Sequence, residues 1–158
     1  MLGGRTPTAE DVKSLPFTTM VLKETLRLYP PLWIIMRLAA EDDEIGGYDV
    51  PAGTTVVITG SITNRHPDFW ENPEGFDPER FGEERSKGRS RAAYLAFGAG
   101  PRGCLGFPFA MMEMPLVLAR IMQTFKVELV PGQTVVAEPA LSLRQKPGAQ
   151  VRVEPLPA

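Results

Sequence analysis

Cysteine and histidine are nearly absent from this chain: its 158 residues contain one of each, Cys104 and His66. A single cysteine excludes an intramolecular disulfide and suits a reducing compartment. A structural zinc site takes four Cys or His ligands, and iron–sulfur clusters take several cysteines. Both kinds of metal centre are therefore excluded as sites built by this chain alone.

The chain also lacks an excess of either charge and a long apolar run. Seventeen basic residues against 19 acidic ones give a net charge of −2, which does not indicate nucleic-acid binding. No run approaches ~20 apolar residues, so no membrane span is predicted. The N-terminal residues do not have the pattern of a signal peptide. We therefore expect a cytoplasmic protein without a nucleic-acid partner.

The one cysteine lies in a glycine-rich loop, residues 97–106, that contains four glycines. Glycine is favoured where the backbone needs positive φ or passes close to a flat ligand. The apolar run from Leu105 predicts a helix, so Cys104 would lie at a helix N-terminus with Arg102 close by, a setting that favours an anion. The N–H groups of Gly103, Leu105 and Gly106 are candidate donors to the sulfur. The most economical interpretation is that the thiolate is a ligand of haem iron. The alternative is that Cys104 is a small buried residue without a binding role.

Proline and apolar periodicity predict a mixed α+β chain, mainly α. One helical region should be divided by Pro16, because proline is disfavoured inside a helix. The predicted elements are helices over residues 8–28 and 105–124, a helical turn over 61–64, strands over 44–50, 54–59 and 126–130, a solvated loop over 82–91, and a hairpin pairing 141–144 with 150–153.

The pattern Phe97-x-x-Gly100-x-Arg102-x-Cys104-x-Gly106 resembles the haem-binding signature of the cytochrome P450 haem-thiolate monooxygenases and matches it at every position. The resemblance implies haem b as cofactor and Cys104 as the axial iron ligand. It also implies that Arg102 and Arg37 contact the haem propionates and that Phe97 packs near the sulfur. Gly98 and Gly106 would complete the cofactor-binding loop. His66, in its Asn-Arg-His-Pro setting, is predicted to be a surface or hydrogen-bonding residue instead of an iron ligand.

Two further motifs resemble the same family. Glu24-Thr25-Leu26-Arg27 before a proline turn is similar to the Glu-x-x-Arg motif of the family's helix K, and Pro78-Glu79-Arg80-Phe81 is similar to its Pro-Glu-Arg-Phe segment. The resemblance implies a buried structural network of Glu24, Arg27 and Arg80. It implies no catalytic residue in this chain besides the ligand itself.

The resemblance covers nearly the whole chain but only about the last third of a family member. It implies the C-terminal portion of the P450 fold, one haem-binding region over residues 1–158 that forms the proximal haem half without the distal helices. Three functions stay open. The first is monooxygenation of a small organic substrate with O2 and an electron-donor protein (ferredoxin, flavodoxin or flavin reductase). The second is haem storage, sensing or weak peroxidase-like activity by a short haem-binding protein, and the third is a haem-free interaction module in which the signature has lost its function. Exposed core surface would also favour self-association.

Overall fold

The computed structural model describes residues 2–157 of the chain. Its first long helix, α1 (Pro16–Leu28), follows a short 3-10 helix, Ala9–Ser14. Proline is well placed at the start of α1, because the first helical N–H groups have no intrahelical acceptor. The predicted division at Pro16 is therefore confirmed. The helix ends two residues before Pro30, and its buried side chains are Glu24, Arg27 and Leu28.

Two antiparallel pairs of strands follow α1. Strand β1 (Ile35–Leu38) pairs with β4 (Thr55–Ile58), and β2 (Asp43–Ile45) pairs with β3 (Tyr48–Val50). The prediction of one strand over residues 44–50 is wrong. Gly46 and Gly47 both have positive φ, 62° and 84°, so the chain reverses between them and forms a two-residue hairpin turn. The predicted strand over residues 54–59 is confirmed as β4.

The middle of the chain has short helical turns joined by irregular backbone. Helix α2 (Gly60–Thr63) confirms the predicted turn, a 3-10 helix spans Pro78–Phe81, and α3 spans Glu83–Ser86. The prediction of a solvated loop over residues 82–91 is therefore wrong in part. That segment forms a helical turn and brings Arg89 to a half-buried position.

The longest helix, α4 (Phe107–Thr124), begins two residues later than predicted, after Gly106, and contains Pro115 in its interior. It packs against α1 and against the first 3-10 helix. Strand β5 (Phe125–Leu129) continues directly from it, as predicted. No helix within residues 2–157 is long and apolar enough to cross a bilayer.

The C-terminal strands pair differently from the prediction. Strand β6 (Val136–Pro139) pairs with β7 (Leu143–Lys146), and β8 (Val151–Pro155) pairs with β5. The predicted hairpin between residues 141–144 and 150–153 is wrong, because each of these segments has its partner earlier in the chain. The sequence patterns located β4, β5, β7 and β8, missed β1 and β6, and merged β2 with β3. They did not identify the partners of the C-terminal strands, which depend on long-range contacts.

Candidate haem-thiolate site

Cys104 lies in the short connection between a 3-10 helix, Gly100–Arg102, and the start of α4. Its N–H donates to the carbonyl oxygen of Phe97 at 2.9 Å, and its own carbonyl accepts from the N–H of Phe107 at 3.3 Å. The thiol is exposed. The backbone around Cys104 is thus hydrogen-bonded on both sides while its side chain remains accessible.

Glycine is required at two turns of the loop. Gly98 and Gly100 have φ values of +71° and +68°, a region that other L residues adopt at a cost. A Cβ on Gly98 would lie 3.6 Å from Cδ1 of Ile35, in β1, so this turn also packs against the strand. The loop's path past Cys104 therefore depends on these glycines.

Of the three N–H groups predicted as donors to the sulfur, one is used elsewhere, and none forms a hydrogen bond to the sulfur among residues 2–157. The N–H of Gly103 donates to the carbonyl of Gly100 at 3.0 Å, so it is not available to Cys104, because the 3-10 turn uses it. The N–H groups of Leu105 and Gly106 have no acceptor among residues 2–157. A Cβ on Gly106 would lie 3.7 Å from the Cys104 sulfur, so glycine leaves the space beside the thiol open.

Phe97 lines the same cleft as Cys104, and its ring meets that of Phe107 with 4.9 Å between centroids and an angle of 69°. Both rings line a cleft of about 590 Å³ that extends to Lys23, Arg91 and Tyr94. The hydroxyl of Tyr94 donates to the carbonyl of Lys23 at 3.3 Å. Burial, together with the negative charge of Glu24, raises the pKa of Tyr94, so its phenol is neutral at ordinary pH.

Both arginines predicted to contact propionates are exposed. Arg102 ends the 3-10 helix beside Cys104 and forms no ion pair within the described residues. Arg37 lies in β1, where its Nη1 donates to the carbonyl of Met36 at 2.9 Å. Side chains alternate along a strand, so Arg37 shares a face of β1 with Ile35, the residue next to Gly98. Both guanidinium groups are therefore free to meet an anionic group.

The structure brings Glu24, Arg27 and Arg80 together in a fully buried cluster, each at most 2% exposed. Arg27 donates from Nε and Nη2 to the two Glu24 oxygens at 2.7 and 2.9 Å, and Arg80 donates from Nε to Glu24 Oε1 at 3.0 Å. Six further hydrogen bonds from the two guanidinium groups go to backbone carbonyls, those of Asn64, Glu71, Asn72, Pro73 and Gly75.

Glu24 remains ionised in this cluster. Burial opposes the charged form, but the hydrogen bonds from Arg27 and from the N–H of Asp77, with the charges of Arg27 and Arg80, outweigh it and lower the pKa of Glu24. A buried carboxylate with two guanidinium groups fixes geometry, and loss of one partner leaves the others unpaired.

Two residues without a predicted role join this cluster to the Cys104 loop. Asn64 is fully buried, donates from Nδ2 to the carbonyl of Arg27 at 3.2 Å, and accepts from the N–H of Leu95 at 2.9 Å. Trp70 donates from Nε1 to the carbonyl of Ala93 at 3.1 Å. Asn64 belongs to the Asn-Arg-His-Pro motif, but its bonding partners are 31 and 37 residues away, a separation that sequence spacing alone does not reveal.

His66 is half-exposed and contacts its own turn. Its Nδ1 accepts from the N–H of Asp68 at 3.3 Å, and its ring lies 5.5 Å from that of Phe69. These contacts agree with a surface, hydrogen-bonding histidine.

Comparison with known proteins identifies the family. The model of the family described as cytochrome P450 matches residues 1–153. The chain belongs to the cytochrome P450 family. It is 43% identical over 135 residues to the cyclooctat-9-en-7-ol 5-monooxygenase of Streptomyces melanosporofaciens, covering 85% of this chain and 29% of that enzyme. It is 40% identical over 145 residues to the thromboxane-A synthase of Sus scrofa, covering 90% and 27% respectively.

A solved P450 structure has the same fold. The haem domain of cytochrome P450DA superposes with a TM-score of 0.87 at 31% identity, covering 96% of this chain and 34% of that domain. These values confirm the predicted C-terminal portion of the P450 fold. The chain spans less than a third of the length of the two curated relatives. It is a protein of the haem-thiolate P450 type, and the comparisons give no support to haem storage or sensing.

The residues around Cys104 fit haem, the cofactor of this family. Haem would take a single protein ligand from this loop, and the exposed Cys104 thiol could supply it as a thiolate. Within residues 2–157, no group of three or more His, Cys, Asp or Glu side chains could hold a metal ion by itself. The bare space at Gly106 and the exposed Arg102 suit a flat ligand with acidic substituents.

Proposed function

We propose that this chain is the haem-ligating region of a P450 monooxygenase, a single region over residues 1–158 that binds haem b through the Cys104 thiolate. The observation that carries the proposal is the exposed Cys104 thiol, in a loop that the N–H of Cys104 closes onto the carbonyl of Phe97 and beside two N–H groups that have no acceptor among residues 2–157. A thiolate in this position would be stabilised by hydrogen bonds from these N–H groups.

Each neighbouring residue has a distinct part in this proposal. Arg102 and Arg37 hold the propionates through charge-assisted hydrogen bonds, for which their exposed guanidinium groups are free. Phe97 packs beside the sulfur and limits its contact with water. Gly98 and Gly106 let the macrocycle approach the backbone. The cluster of Glu24, Arg27 and Arg80 acts as a structural support behind the loop.

The reaction expected for the whole enzyme inserts one oxygen atom of O2 into a small organic substrate and releases the other as water. Thiolate-ligated haem supplies the chemistry for cleaving the O–O bond. Two electrons and two protons balance this reaction, and a ferredoxin, flavodoxin or flavin reductase would deliver the electrons from NAD(P)H. We place substrate and O2 contacts mainly in the part of a P450 that this chain does not span.

The proposal is tested by the reduced, carbon monoxide-bound absorption spectrum of the chain after haem addition. We expect a strongly red-shifted Soret band for the parent chain and for His66→Ala, and none for Cys104→Ser. Far-UV circular dichroism checks that Cys104→Ser keeps its helices. A red-shifted band that survives in Cys104→Ser, or one that disappears in His66→Ala, would contradict the ligand assignment.

Self-association is part of the same proposal. Leu105, Phe109 and Leu141 are 98%, 61% and 95% exposed, and apolar surface of this kind is usually covered by a partner. We propose that a second copy of the chain covers it. Light scattering that finds a haem-loaded monomer would refute this part and leave the ligand assignment intact.

A further inference from the structure

Trp70 is the largest of the fully buried side chains in the part of the chain that the structure describes, with 1% of its surface exposed. Its ring lies against those of Phe81 and Tyr94, with 5.6 and 6.5 Å between centroids. Neither the assignment of Cys104 as a ligand nor the ion pairs of Glu24 gives this ring a role. The groups that lie over the ring, however, are charged.

Three guanidinium groups lie over the indole ring of Trp70. The Cζ atoms of Arg89, Arg27 and Arg80 are 4.3, 5.1 and 6.0 Å from its centroid. An indole face carries partial negative charge and attracts a cation within about 6 Å, more strongly where water is excluded. Arg27 and Arg80 are at most 2% exposed, so water screens these contacts little. The ring of Trp70 therefore attracts all three cations at once.

Arg89 has fewer other partners than the two fully buried arginines. Arg27 and Arg80 both pair with the carboxylate of Glu24. Arg89 forms no ion pair among the residues that the structure describes, and its Nη2 donates to two backbone carbonyls at 2.8 and 3.0 Å. Its contact with the Trp70 ring, the shortest of the three, therefore holds the face of its guanidinium group.

The nitrogen edge of the same ring faces the segment that leads to Cys104. Trp70 Nε1 donates to the carbonyl oxygen of Ala93 at 3.1 Å, and Ala93 is fully buried. No other donor reaches that carbonyl within residues 2–157. Further along the segment, the carbonyl of Phe97 accepts from the N–H of Cys104. The position of the Ala93 carbonyl therefore depends on the direction of the Trp70 N–H.

We propose that Trp70 is a positioning residue for Cys104. Cation–π contacts with the three guanidinium groups fix the plane of its ring, and the fixed ring holds the Ala93 carbonyl through an N–H of set direction. A buried donor that keeps one direction limits the positions that the following segment can take. The inference rests on the proposed haem-binding function, because the position of Cys104 is measured on the bound iron.

The first test replaces ring hydrogens of Trp70 by fluorine, which weakens the negative charge of the ring face and changes its shape little. The full chain carrying Trp33→Phe, in which Trp70 is the single tryptophan, is produced with tryptophan and with mono-, di- and trifluorotryptophan. We expect the urea midpoint of unfolding to fall at each step. The haem dissociation constant should rise about fivefold over the series, the effect of losing about one cation–π contact.

Fluorine has the opposite effect on the hydrogen bond, because it makes Nε1–H a stronger donor. A urea midpoint that rises along the series would show that the hydrogen bond alone holds Trp70 and would overturn the proposal, as would a midpoint that does not change. The matched control is Trp70→Phe, in which Trp33 is the single tryptophan and donates to the carbonyl of Ala140 at 2.9 Å. This control should show no fall along the series.

A second test distinguishes positioning from stability. Trp70→Phe keeps an aromatic face and loses the N–H, whereas Trp70→Leu loses both, so haem affinity should fall from the parent to Trp70→Phe and again to Trp70→Leu. Both variants should also shift the electron paramagnetic resonance g values of the haem-loaded chain, which report the geometry at the thiolate. Leu15→Ala, which truncates a buried side chain of the N-terminal region, is the control and should lower stability without shifting the g values.

The outcomes distinguish this inference from the function on which it rests. A parent chain without a thiolate-type spectrum would contradict the ligand assignment and the positioning role together. If the parent has that spectrum and both Trp70 variants keep its g values, only the positioning role fails. A shift in Leu15→Ala as large as in Trp70→Phe would also overturn the positioning role, because loss of stability alone would then explain it.

Discussion

Around Glu24 the charged side chains are buried, whereas around Cys104 the apolar side chains are exposed. Glu24 and Arg27 are 0% exposed, while Leu105, the residue after Cys104, is 98% exposed. Both arrangements invert the usual distribution of polar and apolar residues. The buried charges of Glu24, Arg27 and Arg80 are satisfied internally, because each has an oppositely charged partner within hydrogen-bond distance. The apolar side chains around Cys104 are left uncovered by residues 2–157.

This difference distinguishes interactions that the chain forms by itself from those that require a ligand or a protein partner. A buried network contributes little net stability but fixes one geometry, and here Asn64 and Trp70 transmit that geometry to the segment before Phe97. Exposed apolar surface raises the free energy of the chain in water, and a flat apolar ligand or a protein surface that covers it lowers that free energy. The chain thus combines a rigid support with an open face.

The largest expected effect comes from breaking the support. Glu24→Gln should lower the free energy of unfolding by about 3–5 kcal/mol, because it leaves two buried guanidinium groups without a counter-charge. Denaturant unfolding followed by circular dichroism measures the change. Glu113→Gln, an exposed glutamate of α4, is the control and should change stability by about 0.5 kcal/mol or less. A Glu24→Gln variant of normal stability that loses haem would contradict the structural role.

Acid should weaken the same support gradually. The pKa values of Glu24 and Asp77 are lower in the folded chain than their ordinary values of 4.5 and 3.8. The unfolded chain then binds more protons in acid, so the stabilisation is complete above about pH 4.5 and is lost as the pH falls through the lower, folded pKa values. Denaturant unfolding at a series of pH values from 7 to 3 tests this.

A control variant distinguishes the contribution of Glu24 and Asp77 to this pH dependence from that of the ion pair between Arg5 and Asp11. Asp11, hydrogen-bonded to Arg5 and to the N–H of Thr8, also has a lowered pKa. Asp11→Asn should reduce the dependence of stability on pH without abolishing it. If Asp11→Asn removes the whole dependence, the buried network does not carry it.

Removing the Asn64 hydrogen bonds that join the two regions should lower the free energy of unfolding by an intermediate amount. Asn64→Ala leaves the N–H of Leu95 and the carbonyl of Arg27 without partners, and we expect a loss of about 1–3 kcal/mol. Haem affinity should fall as well, because the segment leading to Phe97 loses its anchor. Thr63→Ala, which removes a hydroxyl bonded only to the carbonyl of Thr59 in the same turn, is the control for both readouts. Unchanged haem affinity in Asn64→Ala would show that the two regions are independent.

The same two regions differ in how far sequence predicts them. The family motifs named Glu24, Arg27 and Arg80 as a set, and the glycine pattern of the loop identified Cys104, because both depend on residue types at short, fixed spacing. Asn64 and Trp70 were missed as links between the two regions, because their partners are backbone groups of a segment far away in the chain. A motif of residue types contains no information about such carbonyls.

Strand pairing was missed for a similar reason. Alternation of residue types places a strand but does not choose its partner, so 141–144 and 150–153 were joined across the nearest turn. In the structure β5 pairs with β8 and β6 with β7, which encloses one pair within the other. Hydrogen bonds between segments far apart in the chain, from the N–H of Leu143 to the carbonyl of Pro31 and from Trp33 Nε1 to the carbonyl of Ala140, accompany this pairing.

The smallest expected change in stability comes from alanine at a glycine with positive φ, and it compares a turn of the Cys104 loop with a turn outside it. Gly98 and Gly88 both have positive φ, +71° and +76°, so alanine at either position should cost about 1–2 kcal/mol of unfolding free energy. Gly88 lies on an exposed turn with no atom within 4 Å of an added Cβ, whereas Gly98 shapes the Cys104 loop against Ile35. Only Gly98→Ala should therefore weaken haem binding, measured by titration of the Soret absorbance. If both variants lose stability equally and bind haem equally, the loop tolerates displacement, and its geometry is set by the iron bond instead of by the fold.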